Sequence, residues 1–428
     1  MGKRIAICMD GTWQQLRQEN LTNIGAIARS VAHTDPQNGA QQIVIYTQGV
    51  GSTIRALQGK GEGGLTALAT SLASFAGGVF GDGLENSILD TYLRLAFNYE
   101  PDDEIYIFGF SRGAFSARSL AALIGKCGIV SRRFAEKATD AFDLYRDRSV
   151  GPYDTAAREF REAFGKRVRD TEGQRRQANF RPPISYLGIF DTVGQRGLPS
   201  MLGPLSEAAN RRFSFHDLDL GDHVRSARHA LAIDERRAAF PPTLWTNIDA
   251  LNANARALNN PQSEPFQQRW FVGAHGDIGG GVGSSLSSFP LEWVVEGAEV
   301  QGLKFDRSAE SPLSRQLAPE QMTPLADISM PRGIGSLKPI NLVTTWRQIG
   351  DADVKSPADP DATRALMHLS VAARTVAPLK KPYRPKPLAP YRDSLATLAA
   401  PAALAAELVA FVTGPKRKRS LFQRLFGR

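Results

Sequence analysis

The sequence predicts an α/β fold: a mostly parallel central sheet flanked by helices, with helical insertions and a loop-rich C-terminal region. Three observations carry that expectation. Short apolar, β-prone runs each stop at a glycine-containing turn, and segments with helical apolar spacing alternate with them, which is the pattern of a parallel sheet. The run Ile105 to Phe110 also passes through Gly109-Phe110-Ser111-Arg112-Gly113 straight into helix-compatible sequence, the strand–turn–helix context of a nucleophile elbow.

In chain order, a first strand at Lys3 to Met9 ends in Asp10-Gly11-Thr12, a helix follows at Asn23 to Val31, and a second strand runs from Gln42 to Thr47. An insertion at about residues 53–83, glycine-rich from Gly59 and apolar from Leu65 to Ala76, reads as a flap near the site. A helix at Leu84 to Tyr99 leads into the elbow strand, and its companion runs from Arg112 to about Lys126. Residues 134–182 are polar, charged and helix-compatible, an insertion over one face. The sheet resumes at Ile184 to Phe190, ending in Asp191, and a later strand at Arg269 to Ala274 ends in His275-Gly276-Asp277. Leu291 to Gly302 has amphipathic helical spacing. The expected organisation is a catalytic domain at 1–305 and an accessory region at 306–428. Prolines and glycines are frequent there from Ser308 to Pro390, an apolar helix covers Leu395 to Val412, and a basic tail follows.

The 428 residues can bury a substantial core. A formal charge of +9 and a pI near 9.6 point to an anionic partner. The basic runs lack interleaved aromatics, so a membrane face is expected and nucleic acid is not. Lys416 to Arg419 is followed by Leu421, Phe422, Leu425 and Phe426 at helical spacing, a pattern suited to lying on a lipid surface, with a solvated tail as the alternative. Pro401 and Glu407 argue against a membrane span in the preceding apolar stretch. Cys8 and Cys127 offer neither a disulfide framework nor metal spacing, and no cofactor is expected. The charged N-terminus with its brief apolar run reads as a first strand, so the expectation is synthesis in the cytoplasm without a cleaved signal, then leaderless export or peripheral membrane attachment.

The chemistry centres on Ser111. Glycines two before and two after it permit a strained turn that exposes the hydroxyl at the carboxyl end of a sheet, while the Arg112 N–H and the helix N-terminus aim at a developing oxyanion. A serine needs a base. Of the six histidines, His33, His216, His223, His229 and His368 lack a strand-end setting, and His275 stands in a glycine-rich turn after a strand. Asp191 is the leading carboxylate, because the order Ser111, Asp191, His275 is that of α/β hydrolases; Asp234 competes, and Asp277 is better suited to a local turn contact. Gly11 or Thr12, after the first strand, are candidates for a second oxyanion donor. A phosphotransferase using Asp10 is the rival, but position 8 is Cys8, so an Asp-x-Asp pair is absent.

Taken together, Met9 to Trp13, Tyr46 to Ser52, Phe108 to Ala114, Gly188 to Gly194, Leu231 to Arg236 and Trp270 to Gly281 resemble the bacterial DUF2235 family of α/β hydrolases, which includes a group of type VI secretion phospholipase effectors. The motifs occur in order across about residues 3–305. The resemblance implies an α/β-hydrolase fold and a Ser-Asp-His hydrolase of phospholipid or other esters. For the effector branch it implies phospholipase A activity on bacterial membranes, with a secretion carrier or immunity protein as partner. A non-catalytic membrane-associating or partner-binding module on the same scaffold is the alternative.

Overall fold

β1 (Arg4–Met9) is buried along its whole length, since it lies inside the sheet with helices over both faces. The structure, a computed structural model, describes residues 2–11, 20–49, 79–169, 176–177, 180–193, 219–237, 240–258, 260, 264–317, 346–349, 359–376 and 382–399. After β1 come α1 (Asn23–Ser30), β2 (Gln42–Thr47), α2 (Val79–Asn98), β3 (Glu104–Phe110) and α3 (Arg112–Cys127). Next are α4 (Ala138–Arg146), α5 (Thr155–Phe164) and a two-stranded pair, β4 (Val168–Arg169) and β5 (Arg176–Gln177). β6 (Ile184–Phe190), β7 (Ala227–Ala232), α6 (Ile248–Ala257) and β8 (Phe266–Phe271) complete the sheet. The chain continues through α7 (His275–Gly279), α8 (Ser288–Val300), α9 (Pro312–Gln316), α10 (Pro360–Leu366), α11 (Leu369–Val376) and α12 (Arg392–Ala399).

The six main strands are all parallel, in the order β2-β1-β3-β6-β7-β8. The chain steps outward from β1 to β2, then returns to the other side of β1 for β3 and builds away from it. Strand order therefore reverses between β1 and β3, and in an open α/β sheet the crevice beyond the carboxyl ends at such a point is where ligands bind. Ser111 follows β3 and Asp10 follows β1.

Alternate side chains divide the core into two layers. Ile5, Ile7, Ile105, Ile107, Leu187 and Ile189 pack against Tyr92 and Leu95 of α2 and Leu120, Leu123 and Ile124 of α3. Ala6, Cys8, Tyr106, Phe108, Tyr186 and Phe190 face Ile24 and Ile27 of α1 and Phe289, Val294 and Val295 of α8. This is an α/β-hydrolase-like arrangement, as the alternation of elements predicts.

Several boundaries differ from the expectation. α2 starts at Val79, inside the segment read as flap; residues 53–78 lie outside the described residues. The strand expected at Arg269 to Ala274 runs from Phe266 to Phe271, and the chain turns at Gly273 with φ 121°, a left-handed conformation that glycine adopts readily. α8 begins at Ser288, because Pro290 is tolerated in a first helical turn. β7 has no counterpart in the sequence reading: Ala-Arg-His-Ala-Leu-Ala has low β propensity, and its place between β6 and β8 decides its conformation.

Among the described residues after 305, several pack into the core despite the proline and glycine content of the surrounding sequence. Met367, Val371, Leu388, Tyr391, Leu395 and Leu398 join the same buried cluster as the α1 and α8 side of the sheet. Met367 forms a parallel bridge with Trp270, the His368 N–H donates to Trp270 O at 3.0 Å, and the His368 ring stacks on Phe271 with centroids 4.6 Å apart. These residues cover β8, which would otherwise be an open edge. The described part of the 134–182 insertion contains the two helices α4 and α5 and the β4–β5 pair. The basic tail at Lys416 to Arg428, and the apolar stretch beyond residue 399, lie outside the described residues. Among the described residues no helix is long and apolar enough to cross a membrane.

Candidate active site

Ser111 sits between β3 and α3 with φ 58° and ψ −120°, a left-handed conformation that a side chain rarely adopts. Its neighbours explain why the turn tolerates it. A Cβ at Gly109 would lie 2.5 Å from Gly113 O, and a Cβ at Gly113 would lie 2.2 Å from Met9 O and 2.5 Å from Asp10 O. The two glycines thus let α3 start directly against the end of β1. The Ser111 N–H donates to Phe190 O at 3.0 Å, tying the elbow to β6, and the Phe115 N–H donates to Ser111 O at 3.2 Å to open the helical ladder. Arg112 is the first residue of α3, where N–H groups point out of the helix towards the elbow.

His275 opens α7 and is buried. Its Nδ1 lies 2.6 Å from Asp191 Oδ2 and its Nε2 lies 2.8 Å from Ser111 Oγ. An ionised carboxylate only accepts, so Nδ1 carries the proton and Nε2 is left to accept from the serine hydroxyl. The backbone N–H of His275 donates to Glu235 Oε2 at 3.2 Å, and the rings of Phe110 and Phe240 lie 4.9 and 5.1 Å from the imidazole. Glu235 is clamped by Arg237 Nε at 2.8 Å and Nη2 at 2.6 Å; burial pushes its carboxyl up, but Arg237 outweighs that and keeps it below the usual range.

Asp191 follows β6 with φ 39°, and it is wholly buried. Beyond His275, its Oδ1 accepts from the Ala232 N–H at 3.0 Å and from Arg347 Nη1 at 2.6 Å, while Arg347 Nη2 reaches Oδ2 at 3.0 Å. Burial alone would raise this carboxyl, but the Arg347 guanidinium and His275 hold it well below the usual range.

The competing residues are engaged elsewhere. Asp234 Oδ2 accepts from the Gly273 N–H and the Tyr383 hydroxyl, both at 2.8 Å, and Asp277 caps α7 by accepting from the Ala274 N–H at 2.9 Å. His229 is pushed down to about 3 by burial, pairs with Gln268 through Nδ1 and accepts from the Thr192 N–H, so it braces the residue beside Asp191. His223 bonds Ala121 O, and His368 pairs with Ser370. His216 lies outside the described residues.

Asp10 accepts from the Thr22 hydroxyl at 2.8 Å, the Tyr46 hydroxyl at 2.8 Å and the Gly11 N–H at 2.7 Å, and burial pushes it up to about 6. The Gly11 N–H, one expected oxyanion donor, is thus bonded to its neighbour's carboxylate in this structure. Thr12, the other, lies outside the described residues. A small cleft beside the elbow is lined by Asp10, Thr47, Gln48, Ser87, Arg112 and Ser116. Among the described residues no group of acidic, histidine and cysteine side chains is arranged to hold a metal ion. Arg347 had no signal in the sequence: it stands in a proline- and glycine-rich stretch of weak periodicity, far in the chain from every motif.

Residues 3–297 match the family model described as the catalytic domain of the Tle1-like phospholipase effectors of the type VI secretion system. The chain belongs to that family. A related protein is the uncharacterized protein YEL023C of Saccharomyces cerevisiae, 29% identical over 261 residues that make up 57% of this chain and 33% of the yeast protein. Among solved structures, an uncharacterized protein from Pseudomonas aeruginosa is 15% identical with a TM-score of 0.38, covering 99% of this chain and 61% of the other. The Tle1 effector bound to the VgrG spike of the type VI secretion system is 19% identical with a TM-score of 0.33, covering 65% of this chain and 51% of that one. This Tle1-like chain spans only a third of the yeast relative and between half and two thirds of the two solved chains.

Proposed function

We propose that this Tle1-like chain is a serine hydrolase of carboxylic esters, a phospholipase A-type lipase acting on bacterial membrane phospholipids and delivered as a type VI secretion effector. The observation that carries the reading is the hydrogen-bonded line from Ser111 Oγ through His275 to Asp191 at the strand switch point. In this mechanism Ser111 Oγ attacks the acyl carbonyl while its proton passes to His275 Nε2. The imidazolium, held by Asp191, then protonates the leaving alcohol, and water, activated by the same imidazole, hydrolyses the acyl-enzyme.

The Arg112 N–H and the loop after β1 are the proposed oxyanion donors. Use of the Gly11 N–H would require it to exchange Asp10 for the oxyanion, and Thr12, the next residue in sequence, is the other candidate. Phospholipid is the proposed substrate class in keeping with the family's description, and a VgrG-type spike is the proposed carrier. The basic, apolar run from Lys416 to Arg428 is the proposed contact with an anionic membrane.

The test is fatty-acid release from mixed bacterial phospholipid vesicles, beside a short-chain ester, by wild type and Ser111→Ala. A loss of at least about 10³-fold on both substrates in the variant is expected. Retained turnover by Ser111→Ala would remove the serine mechanism, and no turnover of either substrate by wild type would favour the non-catalytic scaffold.

A further inference from the structure

We propose that Arg347, which lies beyond the matched family domain, is a positioning residue of the active site: it holds the Asp191 carboxylate in register with His275 and offsets part of its charge there. The inference rests on the Ser111–His275–Asp191 reading above.

A carboxylate offers about four acceptor positions. At Asp191 all four are occupied, one by His275 Nδ1, one by the Ala232 N–H and two by the Arg347 fork. The same guanidinium donates to Ala232 O at 3.0 Å and to Phe240 O at 2.7 Å. It therefore joins the end of β6, the end of β7 and the loop whose phenyl ring packs on His275. The stretch bearing it is docked on both sides: the Arg236 guanidinium lies 4.7 Å from the Trp346 ring centroid, Ile349 is buried, and the Tyr391 hydroxyl donates to Ile349 O at 3.0 Å. A planar, always-charged fork suits this task better than an ammonium group.

The charge has a consequence for the base. The charged groups around His275 are Asp191, Glu235 with its partner Arg237, Asp277 on its own helix, and Arg347; Asp234, Tyr383 and Arg374 stand behind the Gly273 turn. Arg347 reduces the field that the Asp191 carboxylate exerts on the imidazole. Without it, the carboxylate favours the protonated ring more strongly, and a protonated ring cannot accept the serine proton. Removing the charge should therefore move the acid limb of the pH–rate profile upward, whereas merely loosening the fold would not.

The experiment measures covalent labelling of the full chain by a fluorophosphonate from pH 5 to 9. Ser111 Oγ bonds to phosphorus as the P–F bond breaks, fluoride leaves and the serine proton passes to His275, so the rate reports the catalytic pair without requiring the natural substrate. Arg347→Lys, which keeps the charge but not the fork, is expected to label about tenfold more slowly with its acid limb unmoved. Arg347→Met is expected to label about 100-fold more slowly with the limb raised by about one pH unit, and free guanidinium is expected to restore Arg347→Ala at least about fivefold.

Labelling of folded Arg347→Met within about twofold of wild type overturns the proposal. So does slow labelling with an unmoved limb and no guanidinium rescue, which would make the arginine a fold element only. Should Arg347→Met not fold, Arg347→Lys and the guanidinium titration decide: wild-type labelling by the lysine variant, or no rescue of Arg347→Ala, overturns it. Ser111→Ala is run alongside. Labelling that persists there sinks the serine reading itself, while labelling lost there but unaffected across the Arg347 series sinks only the role of the arginine.

Discussion

Gly113 and Met9 approach so closely that a Cβ on the glycine would stand 2.2 Å from the Met9 carbonyl oxygen. The contact is between backbones, at the junction of β1 with the first turn of α3, so neither partner can rotate away. Gly113→Ala is expected to cost about 2–3 kcal/mol of stability by overpacking and to displace Ser111 from His275. Thermal denaturation together with the fluorophosphonate rate checks this; a variant that melts and labels like wild type would mean that the elbow yields freely.

Asp191 stabilises both an imidazole and a guanidinium in a wholly buried setting. Asp191→Asn keeps the shape but removes the countercharge of Arg347, so a stability loss of about 3 kcal/mol is expected, with esterase activity down by at least about 10³-fold. Chemical denaturation and ester turnover measure the two effects. Unchanged stability would show that the Asp191–Arg347 pair is energetically indifferent.

Asp234 supports the Gly273 turn and Tyr383 instead of the imidazole. Asp234→Asn retains an acceptor oxygen at that position, and its activity should fall by less than about tenfold, against the much larger loss at Asp191. Parallel kcat/KM measurements on the two variants decide which carboxylate serves His275; a reversed ranking would reassign the acid.

Asp10 provides a pH signature of stability. Burial raises its folded-state value to about 6, above the ordinary aspartate value of 3.8. The folded protein therefore binds this proton more tightly than the unfolded chain. Its stabilising contribution is fully present below about pH 4 and is lost as pH rises through 6, by roughly 2–3 kcal/mol at pH 7. Asp10→Asn should remove that dependence, so that the stability difference between the variant and wild type shifts in the variant's favour from pH 4.5 to pH 7.5. Melting curves at the two pH values, giving parallel changes in both proteins, would count against it.

The C-terminal helices bury apolar surface against the sheet. A chain ending at residue 305 would expose the ring of Phe271 that His368 covers and remove Arg347. It is expected to bind a hydrophobic dye and to label with fluorophosphonate at least about 100-fold more slowly than the full chain. Full labelling by the shortened chain would establish that residues 1–305 are self-sufficient.

Most of the strand–helix alternation was legible because local rules govern it. β3 and β6 are apolar runs bounded by turn residues, and the glycine spacing around Ser111 reflects sterics within a few residues and across one junction. β7 was not legible, since Arg228 and His229 interrupt its apolar pattern; the arginine reaches across to Glu296 and the histidine to Gln268. The start of α2 was obscured by Gly81 and Gly83, which read as loop residues until the packing of the helix over the sheet outweighs their low helix propensity.

Chain-local chemistry was enough to single out Ser111, His275 and two candidate carboxylates, because an elbow, a strand end and a glycine turn each leave a short pattern in neighbouring residues. Chain order already placed Asp191 ahead of Asp234, but only the tertiary structure shows why the two differ: the strand order aims the Asp191 carboxylate at the imidazole and turns that of Asp234 towards Gly273 and Tyr383. Arg347, 156 residues from Asp191 in sequence, was invisible in the chain. Its importance depends on the removal of water from around a buried carboxylate, and that is a property of the packed fold, with no periodicity or motif to announce it.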